Sequence, residues 1–227
     1  MRQSAKLLVL GCSFWLGACT TINVDHVQLE DNIEITAGDS VVILGRKNTA
    51  EVETESSLVS CIGDRLQRKI RNVNVIEEQQ FVDNFYPWFE ARTAPQHPVK
   101  LRQVLDQPLV AKRINDLGIR YFVWVEGSTE RTDSKGSMTC SIGPGGGGCF
   151  GFGTWEDTSD YETTIWDIRA FKEVGRISTE AVGQSYMPAF IVPIPMLARV
   201  EGNACEGMGN QLANFFVDNG DGIKRLP

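Results

Sequence analysis

The spacing of apolar positions changes several times along the chain, and each change marks an element. Leu7 to Leu16 is an almost unbroken apolar run of ten residues, too short for a membrane-spanning helix, which needs about 20. Preceded by Arg2 and Lys6, it reads as the n-region and h-region of a secretory signal. No other segment is long and apolar enough to span a bilayer. Residues 20 to 39 are polar with scattered Ile22, Val24, Val27, Leu29, Ile33 and Ile35, which suits a tether that adds an irregular strand. "VVILG" (Val41 to Gly45) is a short β-branched apolar run, hence a buried strand. Leu58, Ile62, Leu66 and Ile70 then recur every four residues with polar residues between, the pattern of an amphipathic helix.

"NVNVIEE" predicts a second strand, and "FVDNFYPWFE" a helix or irregular turn interrupted at Pro87. "LRQVLDQPLVAKRINDLG" is helical in period, with Pro108 kinking or restarting it and Gly118 ending it. Tyr121 to Val125 is apolar without alternation, as in a central strand covered on both faces. "YETTIWDIRAF" and "RISTEAVGQSY" predict an antiparallel pair about a turn at Val174-Gly175, and a last helix is expected from about Asn203 to Phe216. The order β-α-β-α-β-β-β-α defines a single-domain α/β sandwich, a mixed β-sheet with two or three helices. The expected division is 1–18 as signal peptide, 19–39 as N-terminus and tether, and 40–227 as the α/β domain.

Without residues 1–18 the chain carries 20 basic and 29 acidic residues. That balance argues against nucleic acid and against electrostatic docking on anionic lipid. Of six cysteines, Cys12 falls in the signal and Cys19 just after it. The remaining four, Cys61, Cys140, Cys149 and Cys205, suit two disulfides in an oxidising compartment. Cys140–Cys149, closing "CSIGPGGGGC", and Cys61–Cys205, tying two helices, is the favoured connectivity; free buried thiols or a metal site are the alternatives. No CxxC pair exists, and the only histidines are His26 and His97, so no metal or other cofactor is expected.

Leu16-Gly17-Ala18-Cys19 resembles the lipobox of bacterial lipoprotein precursors: a leucine, two small residues and an obligatory cysteine, followed by polar Thr20-Thr21. The resemblance implies cleavage before Cys19 and acylation of its thiol. Two or three acyl chains hold a protein stably on a bilayer, whereas one is marginal at about 0.8 kcal/mol per buried CH₂. In a double-membraned host, Thr20 rather than Asp after the cysteine implies the outer membrane, with the chain facing the periplasm. "VVILG", "VNVIEE", "INDLGIRYFVWVEGS" and "TTIWDIRAFKEVGRIS" together resemble a superfamily of periplasmic lipoproteins. It includes the curli secretion channel lipoprotein and the penicillin-binding-protein activator lipoprotein. The resemblance covers roughly residues 41 to 217 and implies a scaffold or accessory role. Residues 129 to 140, "TERTDSKGSMTC", are polar on both faces and lack the alternation of membrane-spanning hairpins, so a pore is not expected.

Candidate chemistry is thin. Gly146, Gly148 and Gly151 satisfy G-x-G-x-x-G, but the acidic "TWEDTSDYETTIW" follows where a phosphate-binding helix should begin, so no nucleotide is expected. The loop reads instead as a hairpin tip carrying Phe150, Phe152 and Trp155, candidate contacts for another envelope protein. "YMPAFIVPIPML" (Tyr186 to Leu197) holds three prolines and cannot be a central strand. It is an extended cover over the core or an exposed apolar patch. Glu156, Asp157 and Asp160 lack the order of a calcium loop. No G-x-S-x-G, H-E-x-x-H or oriented Cys–His pair is present, so a non-catalytic role is expected. A binding protein for small molecules or glycans, using Phe85, Tyr86, Trp88 and Phe89, is the second reading. Purified from membranes, the mature chain is expected to begin at Cys19 and to carry the mass of two or three acyl chains. An unmodified thiol there, or cleavage at another bond, would remove the anchor.

Overall fold

The computed structural model describes residues 20–220 apart from 31, 32, 34, 49–51, 71, 72, 91, 92, 96 and 97. The signal peptide and Cys19 lie outside the described residues. In chain order the strands are β1 (Thr20–Gln28), β2 (Ser40–Gly45), β3 (Lys47–Asn48), β4 (Val52–Glu53), β5 (Asn74–Ile76), β6 (Ile119–Gly143), β7 (Gly146–Asp167) and β8 (Lys172–Pro193). The helices are α1 (Ser56–Lys69), α2 (Glu78–Asn84), α3 (Pro98–Leu105), α4 (Pro108–Asp116) and α5 (Val200–Gly220). Six strands form one sheet in the order β1-β8-β7-β6-β2-β5, while β3 and β4 pair separately. β2 runs parallel to β5 and β6; the remaining pairs of the large sheet are antiparallel.

The expected α/β class holds, with five helices among the described residues rather than two or three. Pro108 divides the expected long helix into α3 and α4 and stands at the first turn of the second, where its missing N–H costs nothing. The segment before Pro87 contributes a further short helix, α2. The N-terminal segment is a regular strand from Thr20, each residue through Gln28 paired with β8 from Gly183 to Gly175.

Why Tyr121 to Val125 lacks alternation is now evident. Tyr121, Val123 and Val125 face a core built with α1 and α5, while Phe122 and Trp124 face a second core beneath α2, α3 and α4. A strand buried on both sides has no polar face to show. On the first side Leu58, Ile62 and Leu66 of α1 are buried. α1 and α5 approach so closely that a Cβ on Gly209 would lie 2.8 Å from Cβ of Arg65. Cys61 and Cys205 join the two helices, with Cα atoms 6.1 Å apart. On the second side, Phe81, Phe85, Phe89 and Phe122 stack and meet edge to face at centroid distances between 4.4 and 6.0 Å. Such contacts add to the apolar area they bury.

The β7–β8 turn falls at residues 168–171, not at Val174-Gly175. The Asp167 carboxylate accepts the Arg169 and Ala170 N–H groups at 2.9 and 3.0 Å, closing the turn four residues early. Val174 instead forms a bulge in β8. Gly175 is glycine for a packing reason, since a Cβ there would stand 2.4 Å from the Phe215 ring of α5.

The two disulfides follow the expected connectivity, and they should behave differently. Cys61–Cys205 spans 144 residues, so converting both to alanine should cost about 3 kcal/mol. That corresponds to a melting temperature lower by about 10 °C. Cys140–Cys149 spans only 9 residues and lies outside both cores, so its removal should leave the global transition almost unmoved. Equal losses by scanning calorimetry would contradict this division.

Candidate functional site

Past the two cores, β6, β7 and β8 keep pairing and leave the domain as a three-stranded arm. β2 accompanies β6 only to Val125, while β6 and β7 pair as far as Gly143 opposite Gly146. At 3.3 Å per residue, residues 146–159 of β7 extend about 45 Å. Two-residue turn Pro144-Gly145 closes the tip. Twist is admitted by glycines at close crossings: Gly136 has φ of +119°, and a Cβ on it would stand 2.2 Å from the Phe152 carbonyl oxygen.

The joint between arm and domain is a partly buried polar network. Glu55, just before α1, accepts the Tyr161 hydroxyl at 2.8 Å and the Thr129 N–H at 3.1 Å. Thr129 Oγ1 is in turn 2.8 Å from Tyr161 Oη and 2.6 Å from Ser159 Oγ. Burial, together with the Glu55 carboxylate, pushes the Tyr161 hydroxyl up from its ordinary range. It stays protonated and donates. This cluster holds a hydroxyl and a carboxylate together, but each atom is used to fix β6 and β7 to α1.

Beyond the joint the sequence changes character. Gly136 to Trp155 and Ala181 to Ala198 contain no Asp, Glu, Lys, Arg or His, in a chain that is 22% charged. After β8 the chain reverses, and residues 194–198 return along its edge. Ile194 N–H donates to Pro188 O at 3.0 Å, Tyr186 and Met196 exchange backbone bonds at 2.9 and 2.7 Å, and Ala198 N–H donates to Ser185 Oγ at 3.0 Å. "YMPAFIVPIPML" therefore does not cover the core. Phe190 and Ile191 are each 73% exposed, Phe150 69% and Ile142 94%. The prolines exclude a central position in the core sheet, yet they are tolerated where a ribbon bends back.

Register separates the expected contact residues. Phe150 stands opposite Phe190 and Phe152 opposite Pro188, so these share one face; the Phe150 and Phe190 rings meet edge to face at 5.3 Å. Trp155 lies on the other face, with the Arg131 guanidinium 5.0 Å from its ring. The Cys140–Cys149 disulfide bridges directly opposed residues on that second face. Phe190, Ile191 and Val192 are exposed, so of the two readings of "YMPAFIVPIPML" the exposed apolar patch holds. The absence of charge on both sides of the hairpin was a signal available to choose between them.

The four aromatics of "FYPWFE" make no ligand platform. Phe85 and Phe89 are buried, Trp88 packs beside them, and Tyr86 alone points out. A depression of about 80 Å³ lined by Ile43, Val59, Gly63 and Val75 is far below the several hundred Å³ a small-molecule site occupies. No group of three or more metal-ligating side chains occurs among the described residues. No helix among them is long and apolar enough to cross a membrane.

At the end of the sheet opposite the arm, Asp39 is 3% exposed. It accepts Thr36 N–H and Oγ1 at 2.9 and 2.8 Å and pairs with Arg169 at 2.8 Å and Arg120 at 3.3 Å. Arg120 also reaches Asp167 at 3.4 Å. This ties the starts of β2 and β6 to the end of β7, and its charges are spent on one another.

No family model and no curated protein matches the chain. Among solved structures it is similar to the PelC dodecamer from Paraburkholderia phytofirmans, at 14% identity over 85% of this chain and 96% of that one, with a TM-score of 0.37. The hypothetical protein CT253 from Chlamydia trachomatis matches at 13% identity over 80% and 93%, with a TM-score of 0.28. Likenesses this distant carry no argument about function.

Burial alone would raise the Asp39 carboxyl, but the Thr36 hydrogen bonds and the Arg169 and Arg120 charges outweigh it and hold it below the usual carboxylate range. Its stabilising contribution is therefore complete above the unfolded value near pH 4 and is lost as pH falls through the lower folded value. Asp39→Asn should cost about 2 kcal/mol at neutral pH. The gap between variant and parent in urea unfolding should close below about pH 4. A gap unchanged with pH would remove the ionised carboxylate from the account.

Proposed function

We propose that this chain is a lipid-anchored, non-catalytic accessory protein of a double-membraned envelope. Cys19 fixes it to the periplasmic face of the outer membrane, and the arm engages another envelope protein there. The observation that carries this reading is the arm itself: a rigidly jointed ribbon that leaves the domain and displays aromatic side chains without enclosing a cavity. The contact for a protein lies on the Trp155 face. There a half-buried indole stacks with Arg131, itself paired with Asp157, and exposed Ser134 stands beside it in register. Aromatic and arginine side chains within a polar rim are the composition of binding hot spots.

The mechanism is confinement. An anchor that holds the domain in a thin layer at the membrane raises its effective concentration for a partner in the same layer, with no new contact required. The glycan or small-molecule reading loses its platform, because Phe85 and Phe89 belong to the core.

A photocrosslinking amino acid at position 155 should capture one defined envelope protein in intact cells, whereas one at the exposed α4 position Leu109 should not. Trp155→Ala with Arg131→Ala should reduce co-purification of that protein by about tenfold or more, as expected for truncating hot-spot residues. Capture that is equal from both positions, or absent from position 155, would sink the proposal.

A further inference from the structure

The charge-free end of the arm is more extensive than a protein contact on the Trp155 face requires, and its exposed phenylalanines lie on the other side. Phe150, Phe152 and Phe190 stand out on one face. On the opposite face Met138 and Met187 are half-buried and Ala189 is buried. Ile142, Ile191 and Val192 project at the very end. Ile191 adopts φ of +77°, a left-handed conformation that a β-branched residue rarely takes. The reversal holds an isoleucine outward at that cost.

The direction of β1 supplies the second observation. β1 is antiparallel to β8, with Gln28 opposite Gly175 and Thr20 opposite Gly183, so going back along β1 leads toward the tip. Cys19 is bonded to Thr20 and lies within one Cα–Cα step, about 3.8 Å. From the level of Gly183 to Ile191 the arm advances about 26 Å at 3.3 Å per residue. No linker separates anchor from arm, because pairing begins at Thr20.

These facts fix an orientation. If the arm stood on end from an anchored Cys19, its tip would lie about 26 Å deep, nearly across a 30 Å hydrocarbon core. Among the described residues no strand is hydrogen-bonded to the outer edge of β6 beyond Val125, and open edges are not tolerated in hydrocarbon. An arm lying along the surface avoids that penalty. Its side chains reach the headgroup–acyl boundary while its backbone stays hydrated.

We propose that the arm lies along the bilayer that holds Cys19, its Phe150–Phe152–Phe190 face wedged at the headgroup–acyl boundary. Zwitterionic lipid suffices, since Lys135, opposite Thr154 on that face, is neutralised by its ion pair with Asp133. The membrane contact is then double, an acyl anchor and a protein wedge, and the Trp155 face is turned toward the periplasm. The placement of the membrane rests on the anchor reading of Cys19.

The test uses the full processed protein, reconstituted into phosphatidylcholine vesicles, with an environment-sensitive fluorescent amino acid at position 190 or, as control, at position 158 near the joint. Nitroxide lipids labelled near the headgroup or deep in the acyl chain serve as quenchers. At position 190, emission should shift to the blue on reconstitution and be lost to the shallow quencher more than to the deep one; at position 158 neither should occur. Phe150→Ser with Phe152→Ser should abolish the shift at 190 while far-ultraviolet circular dichroism is retained. Stronger quenching by the deep label would overturn interfacial seating, as would no quenching at all. A blue shift that needs a co-purifying protein, and is absent with lipid alone, would assign the face to that protein. Intact mass reports the acyl chains separately. Acylation without quenching rejects the wedge and keeps the anchor, whereas quenching without acylation keeps the wedge and rejects the anchor.

Discussion

The architecture depends on one half-buried carboxylate. Glu55 receives hydrogen bonds from the side chain of β7 and the backbone of β6 at the level where the cores end. Without it the buried Tyr161 hydroxyl and the half-buried Thr129 N–H would lose their acceptor. A bond to a charged group contributes about 1.5–3 kcal/mol, and leaving buried donors unmade costs about as much. That is a large share of a marginal stability. Its consequence is mechanical as well as energetic: the arm leaves α1 in a fixed direction. An arm on a loose hinge could neither lie along a surface nor present a chosen face.

A ribbon of this length cannot hold itself. A few strands with no core beneath them are marginal in water, and the outer arm exposes phenylalanines that no core covers. Three local devices compensate. The Cys140–Cys149 disulfide pins β6 to β7 on one face, the Phe150–Phe190 pair joins β7 to β8 on the other, and residues 194–198 cover the β8 edge. Each holds the strands together, and none covers the exposed phenylalanines. Side chains left uncovered after every internal device has been used are those for which an external surface is the remaining cover.

What the sequence made legible follows from which forces act locally. Leu58, Ile62 and Leu66 spelled out α1 because a helix packing on a sheet needs that period. Tyr121 to Val125 spelled out a two-sided strand because two cores demand it. The disulfides followed from compartment and spacing. The arm was hidden because alternation is the sign of a strand with one wet face, and residues 129 to 140 have two. Hydrogen bonds to β7 hold that stretch extended, and backbone pairing leaves no trace in side-chain type. The turn at residues 168–171 was missed because an Asp167 side chain closes it, while Val174-Gly175 offered the more familiar glycine. "FYPWFE" misled in the other direction: its crowding of aromatics reflects the second core, where Phe81 and Phe122 wait for Phe85 and Phe89.

The separation of Trp155 from Phe150 and Phe152 changes what the candidate residues can do together. Treated as one cluster, they would make a single patch for a single partner. Strand pairing divides them by parity, and no rotamer change can bring an odd position of β7 to the even face. The Trp155 indole with its Arg131 partner and the exposed phenylalanines therefore occupy opposite faces by construction. The cost is modest, because alternation along a strand provides two surfaces without additional chain. Deeper along β7 the same parity assigns Tyr161 and Ile165 to the core with α1 and α5, and Trp166 to the one beneath α2. One regular strand thus orders both the interior of the domain and the two exposed faces of its arm.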